Sequence, residues 1–206
     1  MMLHKLRSAM VRRGRDRLSG TIEVDEAYIG GLEEGVRGRR AEKKAIVVVA
    51  AQEDGSGIGR IRMSHVKDAS TASLYGFVDT SVEPGSTIHT DDWTGYHGLE
   101  VNGYRHVVTP IKKSGKHAHE LLPRVHKVLS LFKRWLLGTH QGAISHEHLN
   151  SYLNEFVFRF NRRTSAHRGK LFLRLAQQAV ASDPVPYVRL VKGIRECRAR
   201  KYTILG

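Results

Sequence analysis

Thr21-Ile22-Glu23-Val24-Asp25-Glu26-Ala27-Tyr28-Ile29 alternates with period two between Ser19-Gly20 and Gly30-Gly31, the pattern of a half-buried strand bounded by breakers. Downstream, a polar loop at 32–42 leads to Ala45-Ile46-Val47-Val48-Val49-Ala50-Ala51, a continuous β-branched run suited to a strand covered on both faces and therefore to the centre of the sheet. Gly55-Ser56-Gly57 turns the chain into an alternating stretch at 58–66, so the three strands form an antiparallel meander. Asp68 and Ser70 offer caps for a helix through Leu74, Phe77 and Val78, and Pro84-Gly85 then turns into a short strand at 86–90. A fifth strand is expected at 104–109, followed by helices at 121–137 and 147–163 and a weaker helical segment at 171–181. Upstream, Leu3, Leu6 and Met10 fall at helical spacing, with Arg12 to Arg17 crowding the end of a basic helix. The element order predicts an α/β fold: a mixed sheet, with a three-strand antiparallel meander plus parallel strands, flanked by helices. The expected division is a basic linker helix at 1–17, one domain at 18–181 and a basic tail at 182–206.

A length of 206 residues suits one globular core. No uncharged apolar run approaches the ~20 residues that span a bilayer, so a membrane is not the expected partner. The opening residues lack an uninterrupted apolar segment and a small-residue cleavage site, and Cys197 is the only cysteine, which points to a reducing cytoplasm. Charge carries more information. Thirty-four Lys and Arg against 20 Asp and Glu give a net charge of +14. Residues 1–100 hold 14 basic and 15 acidic groups, and residues 101–206 hold 20 and 5, so the whole excess lies in the second half. Such an asymmetry is what a phosphate-binding surface requires.

Asp25 lies inside the first strand, where β-propensity disfavours it, and Asp91 ends the fourth. If those strands are neighbours, the two carboxylates meet and bind hard divalent cations through oxygen; otherwise Asp25 sits on a solvent face and Asp91-Asp92 caps a turn. Spacing alone does not choose between the two. In the helix at 121–137, Val125, Val128, Leu129, Phe132 and Leu136 form an apolar stripe. His126 and Lys133 are seven residues, about two turns, apart and share a second, polar face. Trp93 and Tyr96 are expected to pack beside the strand end, and the pairs His117-x-His119 and His146-x-His148 make a poor zinc signature.

The stretches Glu23-Val24-Asp25-Glu26-Ala27-Tyr28-Ile29-Gly30-Gly31, Thr90-Asp91-Asp92-Trp93-Thr94-Gly95-Tyr96, Leu131-Phe132-Lys133-Arg134-Trp135-Leu136-Leu137-Gly138-Thr139-His140 and Tyr152-Leu153-Asn154-Glu155-Phe156-Val157-Phe158-Arg159-Phe160-Asn161-Arg162-Arg163 occur in that order. In this the chain resembles bacterial insertion-sequence transposases of the ISXO type, a branch of the DDE group with an RNase H-like catalytic domain, over roughly residues 18–176. The resemblance implies that Asp25 and Asp91 are the first two catalytic acids and that the third position falls on the helix, seven residues before Lys133. The wider group usually places Glu there; this chain has His126, and Glu120 lies six residues earlier on another helical face. Imidazole suits Mn²⁺ better than Mg²⁺.

The implied cofactors are two Mg²⁺ or Mn²⁺ ions held by Asp25, Asp91 and His126. The implied activity is DNA cleavage and strand transfer by a bacterial, nucleoid-associated enzyme. Lys133 is expected near the scissile phosphate, Arg134 on DNA, Arg159, Arg162 and Arg163 on flanking backbone, and Arg39 and Arg40 on a loop reaching DNA. The partners implied are element ends and target DNA, with a homo-oligomer on paired ends. Relatives carry a zinc ribbon and a helix-turn-helix ahead of this domain. Their absence here makes the chain resemble an N-terminally truncated member, for which sequence-nonspecific DNA binding is expected. Two rival readings stay open: a catalytically decayed DNA-binding remnant, and a nuclease of the same fold.

Overall fold

The computed structural model describes residues 2–12, 14–30, 44–110, 115, 117–140 and 148–182. Five strands, β1 (Thr21–Ile29), β2 (Ala45–Asp54), β3 (Gly57–Val66), β4 (Thr87–Asp91) and β5 (Arg105–Thr109), form one sheet in the order β3-β2-β1-β4-β5. β1, β2 and β3 pair antiparallel, whereas β4 joins β1 and β5 joins β4 in parallel. This is the α/β meander plus parallel extension expected from the sequence. The helices are α1 (Met2–Ala9), α2 (Thr71–Ser81), α3 (Ala118–Leu121), α4 (Pro123–His140), α5 (Leu149–Phe160) and α6 (Leu171–Val180).

Two apolar layers sandwich the sheet. On one face Val47, Val49, Ile61 and Met63 pack against Val125, Phe132 and Phe156 of α4 and α5. On the other Ile22, Val24, Val48 and Ile88 pack against Leu74 and Val78 of α2 and against Tyr96 and Leu99. Burying each such side chain stabilises by ~1.5–3 kcal/mol. β2 contributes to both layers, which is why its sequence reads as an unbroken apolar run rather than an alternation.

Three boundaries differ from the sequence expectation. α1 ends at Ala9 and does not continue into the arginines, and the chain then turns through Gly14 at φ 62°, a conformation that L side chains disfavour. The helix expected from 121 instead begins at Pro123, after Leu122 adopts φ −125°, ψ 64°; the residue before proline is pushed out of the α region. β2 runs on through Gln52 to Asp54 before Gly55 closes the hairpin with φ 55°.

The outer edge of β3 is sealed by side chains of α5 and the residues after it. Asn161 Oδ1 accepts from Ile61 N–H at 2.7 Å, and its Nδ2 donates to Ile61 C=O at 3.0 Å, copying the two bonds of a neighbouring strand. Asn150 Oδ1 accepts from His65 N–H at 3.0 Å, and the Arg163 guanidinium donates to the Gly59 and Ile58 carbonyls. An open edge would otherwise template pairing with another chain. α1 is fastened to α5 by the buried pair Arg7 Nε–Glu155 Oε2 at 2.7 Å. No helix among the described residues is long and apolar enough to cross a membrane.

Candidate active site

Asp25 lies in β1, where period-two alternation puts it on the same face as Glu23 and Ala27, the face covered by α4. The parallel pairing sets Thr21 beside Thr87, Ile22 beside Ile88 and Glu23 beside His89. The pairing ends there; Asp25 and Asp91 follow two residues further along their strands, on the faces of Glu23 and His89 by alternation. Asp25 Oδ1 accepts from the Glu26 N–H at 2.8 Å, and Asp91 Oδ1 accepts from the Trp93 N–H at 3.1 Å. One oxygen of each carboxylate is thereby tied to local backbone.

α4 supplies the third member. His126 Nε2 stands 3.6 Å from Asp25 Oδ2, with side-chain exposures of 28% and 14%. That separation is beyond a hydrogen bond, and His126 Nε2 is buried with no hydrogen-bond partner. Burial, more than any neighbouring charge, lowers the His126 pKa; His119 and Lys133 push the same way and Glu23 opposes them. The shift favours the neutral form that metal coordination needs. Lys133 is exposed on the same side of α4, and its charge is felt at His126.

A second acid on this face fixes where α4 begins. Glu23 is 3% exposed, and its Oε2 accepts from the Arg124 N–H at 2.7 Å and from the Val125 N–H at 3.0 Å. Its Oε1 meets the Arg124 guanidinium at 3.0 Å, and the same guanidinium reaches Glu53 at 2.6 Å. The first amides of a helix have no intrahelical partner. Here a carboxylate two residues from Asp25 satisfies two of them, and the favourable dipole end of the helix strengthens the contact. His126 follows one residue later.

The opposite face carries a second fastening. Tyr96 is fully buried and donates from its hydroxyl to Glu26 Oε2 at 3.0 Å. Burial, then the charges of Glu26, Asp25 and Asp91, hold its phenol well above the usual value, so the proton stays in that bond. Trp93 Nε1–H donates to the Ala69 carbonyl at 3.0 Å. A Cβ on Gly95 would fall 2.6 Å from Trp93 Nε1 and 2.8 Å from Leu74 Cδ1, so the turn after Asp91 admits only glycine without movement. The stretches around Asp25 and Asp91 are thus one unit, with Trp93 and Tyr96 packed as expected.

The remaining residues proposed from sequence sit apart from this pair. Arg134 is exposed on α4. Arg159 pairs with Glu155 at 2.8 Å, Arg162 lies 3.9 Å over the Phe158 ring, and Arg163 lies 4.0 Å over Phe160 while it binds the β3 edge. Arg162 and Arg163 flank β3, two strands from β1. Glu120 is on the separate turn α3, exposed, 4.0 Å from His119. Arg39, Arg40 and His146 lie outside the described residues.

Asp25 Oδ2 and the orphaned, buried His126 Nε2 face each other as an oxygen and a nitrogen donor, a set that suits a divalent ion in kind, Mn²⁺ more than Mg²⁺. Among the described residues no preassembled group of three such side chains is present. Sequence reasoning missed Glu23, Arg124 and Asn161 as structural determinants. The signal for Glu23 was available, since it shares Asp25's face by alternation. Arg124 and Asn161 act across about 100 residues and left no local trace.

The Mos1 strand transfer complex is similar over 89% of this chain and 62% of that chain, at 15% identity and a TM-score of 0.37. The Mos1 transposase paired-end complex with left transposon end is similar over 86% and 62%, at 13% identity and a TM-score of 0.31. This chain therefore spans less than two thirds of the length of either. No curated protein sequence matches it. The family model for the ISXO2-like transposase domain matches residues 17–161, from the approach to β1 to the asparagine that seals β3, and the chain belongs to that family.

Proposed function

We propose that this chain is the catalytic domain of a DNA transposase, cleaving DNA strands and transferring them for an insertion sequence with the aid of divalent metal ions. The observation that carries the reading is His126 Nε2 at 3.6 Å from Asp25 Oδ2, on a strand whose parallel neighbour β4 ends in Asp91. Family membership and the net charge of +14 support DNA as the partner.

Asp25, Asp91 and His126 would hold the ions. Bound there, divalent metal would supply a stronger nucleophile at neutral pH and stabilise charge on the phosphoryl oxygens. The protein's own part is positional. Glu23 fixes the start of α4, and so the reach of His126 toward β1. Tyr96 anchors the turn behind Asp91 through Glu26. Lys133, as a compact exposed ammonium on the same side of α4, binds a phosphate close to the reacting one.

The test uses the full chain, supercoiled DNA and an oligonucleotide with a free 3′-hydroxyl, in Mn²⁺ and in chelator. Joined products in Mn²⁺ alone are expected. Nicks without joining would identify a nuclease instead, and no metal-dependent breakage would leave a DNA-binding remnant.

The histidine makes a second prediction. His126→Glu replaces a nitrogen donor with an oxygen donor, so activity in Mg²⁺ is expected to rise relative to Mn²⁺ by roughly tenfold, about 1.4 kcal/mol of differential stabilisation. An unchanged Mg²⁺-to-Mn²⁺ ratio would remove His126 from the metal site.

A further inference from the structure

Between the end of α1, β3, α5 and α6 lies a cavity of about 580 Å³ whose lining includes Arg12, Arg15, Arg60, Arg62, Arg162 and Arg174. Among the described residues a single carboxylate, Asp16, lies with them. It is shared by Arg12 at 3.3 Å and Arg60 at 4.0 Å, and its own side chain is 72% exposed. Arg62 is 5% exposed and donates only to the neutral carbonyls of Asp16 and Ile61. Burial first, and then Arg15 and Arg60, depress its pKa to about 10. Arg162 is lowered for the same reasons, burial followed by Arg174 and Arg12. The Arg15 and Arg174 guanidinium groups meet no acceptor in the protein among the described residues.

Buried charges in folded proteins are paired, because an unpaired one costs several kcal/mol in lost hydration. Here the fold gathers cations that raise one another's free energy and supplies too little counter-charge. Arg62 alone of the six is buried, while Arg12 and Arg174 are exposed at the rim and the Arg60 side chain is 40% exposed, all three open to an external polyanion. Guanidinium forks suit phosphate oxygens in particular, and the volume lies in the range of ligand sites, too large for one bare phosphate.

The cavity is also distinct from the candidate active site. Val24 pairs with Ala50, and Ala50 with Arg62. Arg62 therefore lies two strands, ~10 Å, across the sheet from β1, on the face opposite Asp25.

We propose that this arginine-lined cavity is a second nucleic-acid site, binding the phosphodiester backbone of DNA away from the reacting phosphate. The proposal rests on the DNA reading above but not on catalysis. Arg15 and Arg174 are the informative positions, because among the described residues neither makes a bond that holds the fold. The full chain and the Arg15→Gln/Arg174→Gln variant are compared by fluorescence anisotropy on a labelled duplex over a salt series, and by thermal unfolding with inorganic phosphate.

The variant is expected to unfold at the wild-type temperature, to bind the duplex on the order of tenfold more weakly, and to lose about two from the slope of log affinity against log salt. Unchanged affinity and slope would overturn the proposal. So would phosphate stabilisation of the wild type that the variant loses while duplex binding stays intact, since the site would then serve a free phosphate. Wild-type chain that shows no metal-dependent breakage but a variant-sensitive salt slope would sink the catalytic reading alone. Normal breakage with an insensitive slope would sink the cavity alone.

Discussion

Asp25→Asn is expected to slow metal-dependent strand cleavage by about 10³-fold, with duplex affinity within a factor of three of wild type and an unchanged unfolding temperature. Asparagine keeps a carbonyl oxygen for the Glu26 N–H that Asp25 Oδ1 now accepts at 2.8 Å, so β1 retains its local bond. What it loses is the negative charge 3.6 Å from His126 Nε2, and with it most of the affinity for a hard cation. Metal assistance in phosphoryl chemistry contributes several kcal/mol, and ~4 kcal/mol corresponds to ~10³ in rate. Asp91→Asn should behave in the same way, because its Oδ1 likewise holds an amide, that of Trp93, which asparagine can still accept. Both variants must keep binding DNA, since the cations of α4 and of the arginine cavity are untouched. Residual cleavage above about a tenth of wild type in either variant would mean that these carboxylates do not hold the metal. Loss of DNA binding in step with cleavage would mean that the substitutions had damaged the fold instead.

The parts of this site that were legible in the sequence are those whose cause is local. β1 announces itself because alternation is a property of nine consecutive residues, and β2 because a strand buried on both faces must be apolar throughout. Asp25 stood out for being a carboxylate where strands avoid one. Whether it meets Asp91 depends on which strands are neighbours, so spacing left both readings open; the parallel pairing of β1 with β4 supplies the neighbour relation that spacing lacked. Spacing put His126 on a polar helix face with Lys133, but its place as a third ligand came only through resemblance, because one histidine on a helix face carries no such signal by itself. Arg62 alternates on β3 like any outward residue, yet it is buried, because the segment after α1 folds back over it and the Asp16 carbonyl accepts from its guanidinium. Arg163 reads as one more cation in a basic helix end; only the proximity of an unpaired strand edge explains why it is turned inward. Long-range satisfaction of backbone groups is the common thread, and no window of sequence contains both partners.

Glu23→Ala is expected to destabilise the domain by ~3–5 kcal/mol, the range for breaking a buried ion pair by removing one member. The Glu23 side chain is 4% exposed and that of Arg124 is 18%, so solvent does little to screen the pair. The same carboxylate caps the Arg124 and Val125 amides, which would be left without acceptors near the sheet. For a chain of this length the loss corresponds to a fall of roughly 6–20 °C in unfolding temperature. Glu23→Gln separates the two roles: a neutral amide oxygen can still cap the helix but cannot pair with the guanidinium, so about half of the stability should return. Function should follow position. If Glu23 holds α4 against β1, loosening it lets His126 drift from Asp25, and metal affinity should fall by 10–100-fold, as when other groups that orient a metal ligand are removed. A merely stabilising Glu23 would lower the unfolding temperature and leave metal affinity, measured well below that temperature, where it was. An alanine variant within 1 kcal/mol of wild type would show that α4 is placed by its apolar stripe, Val125, Val128 and Phe132 against the sheet, and that the carboxylate only follows.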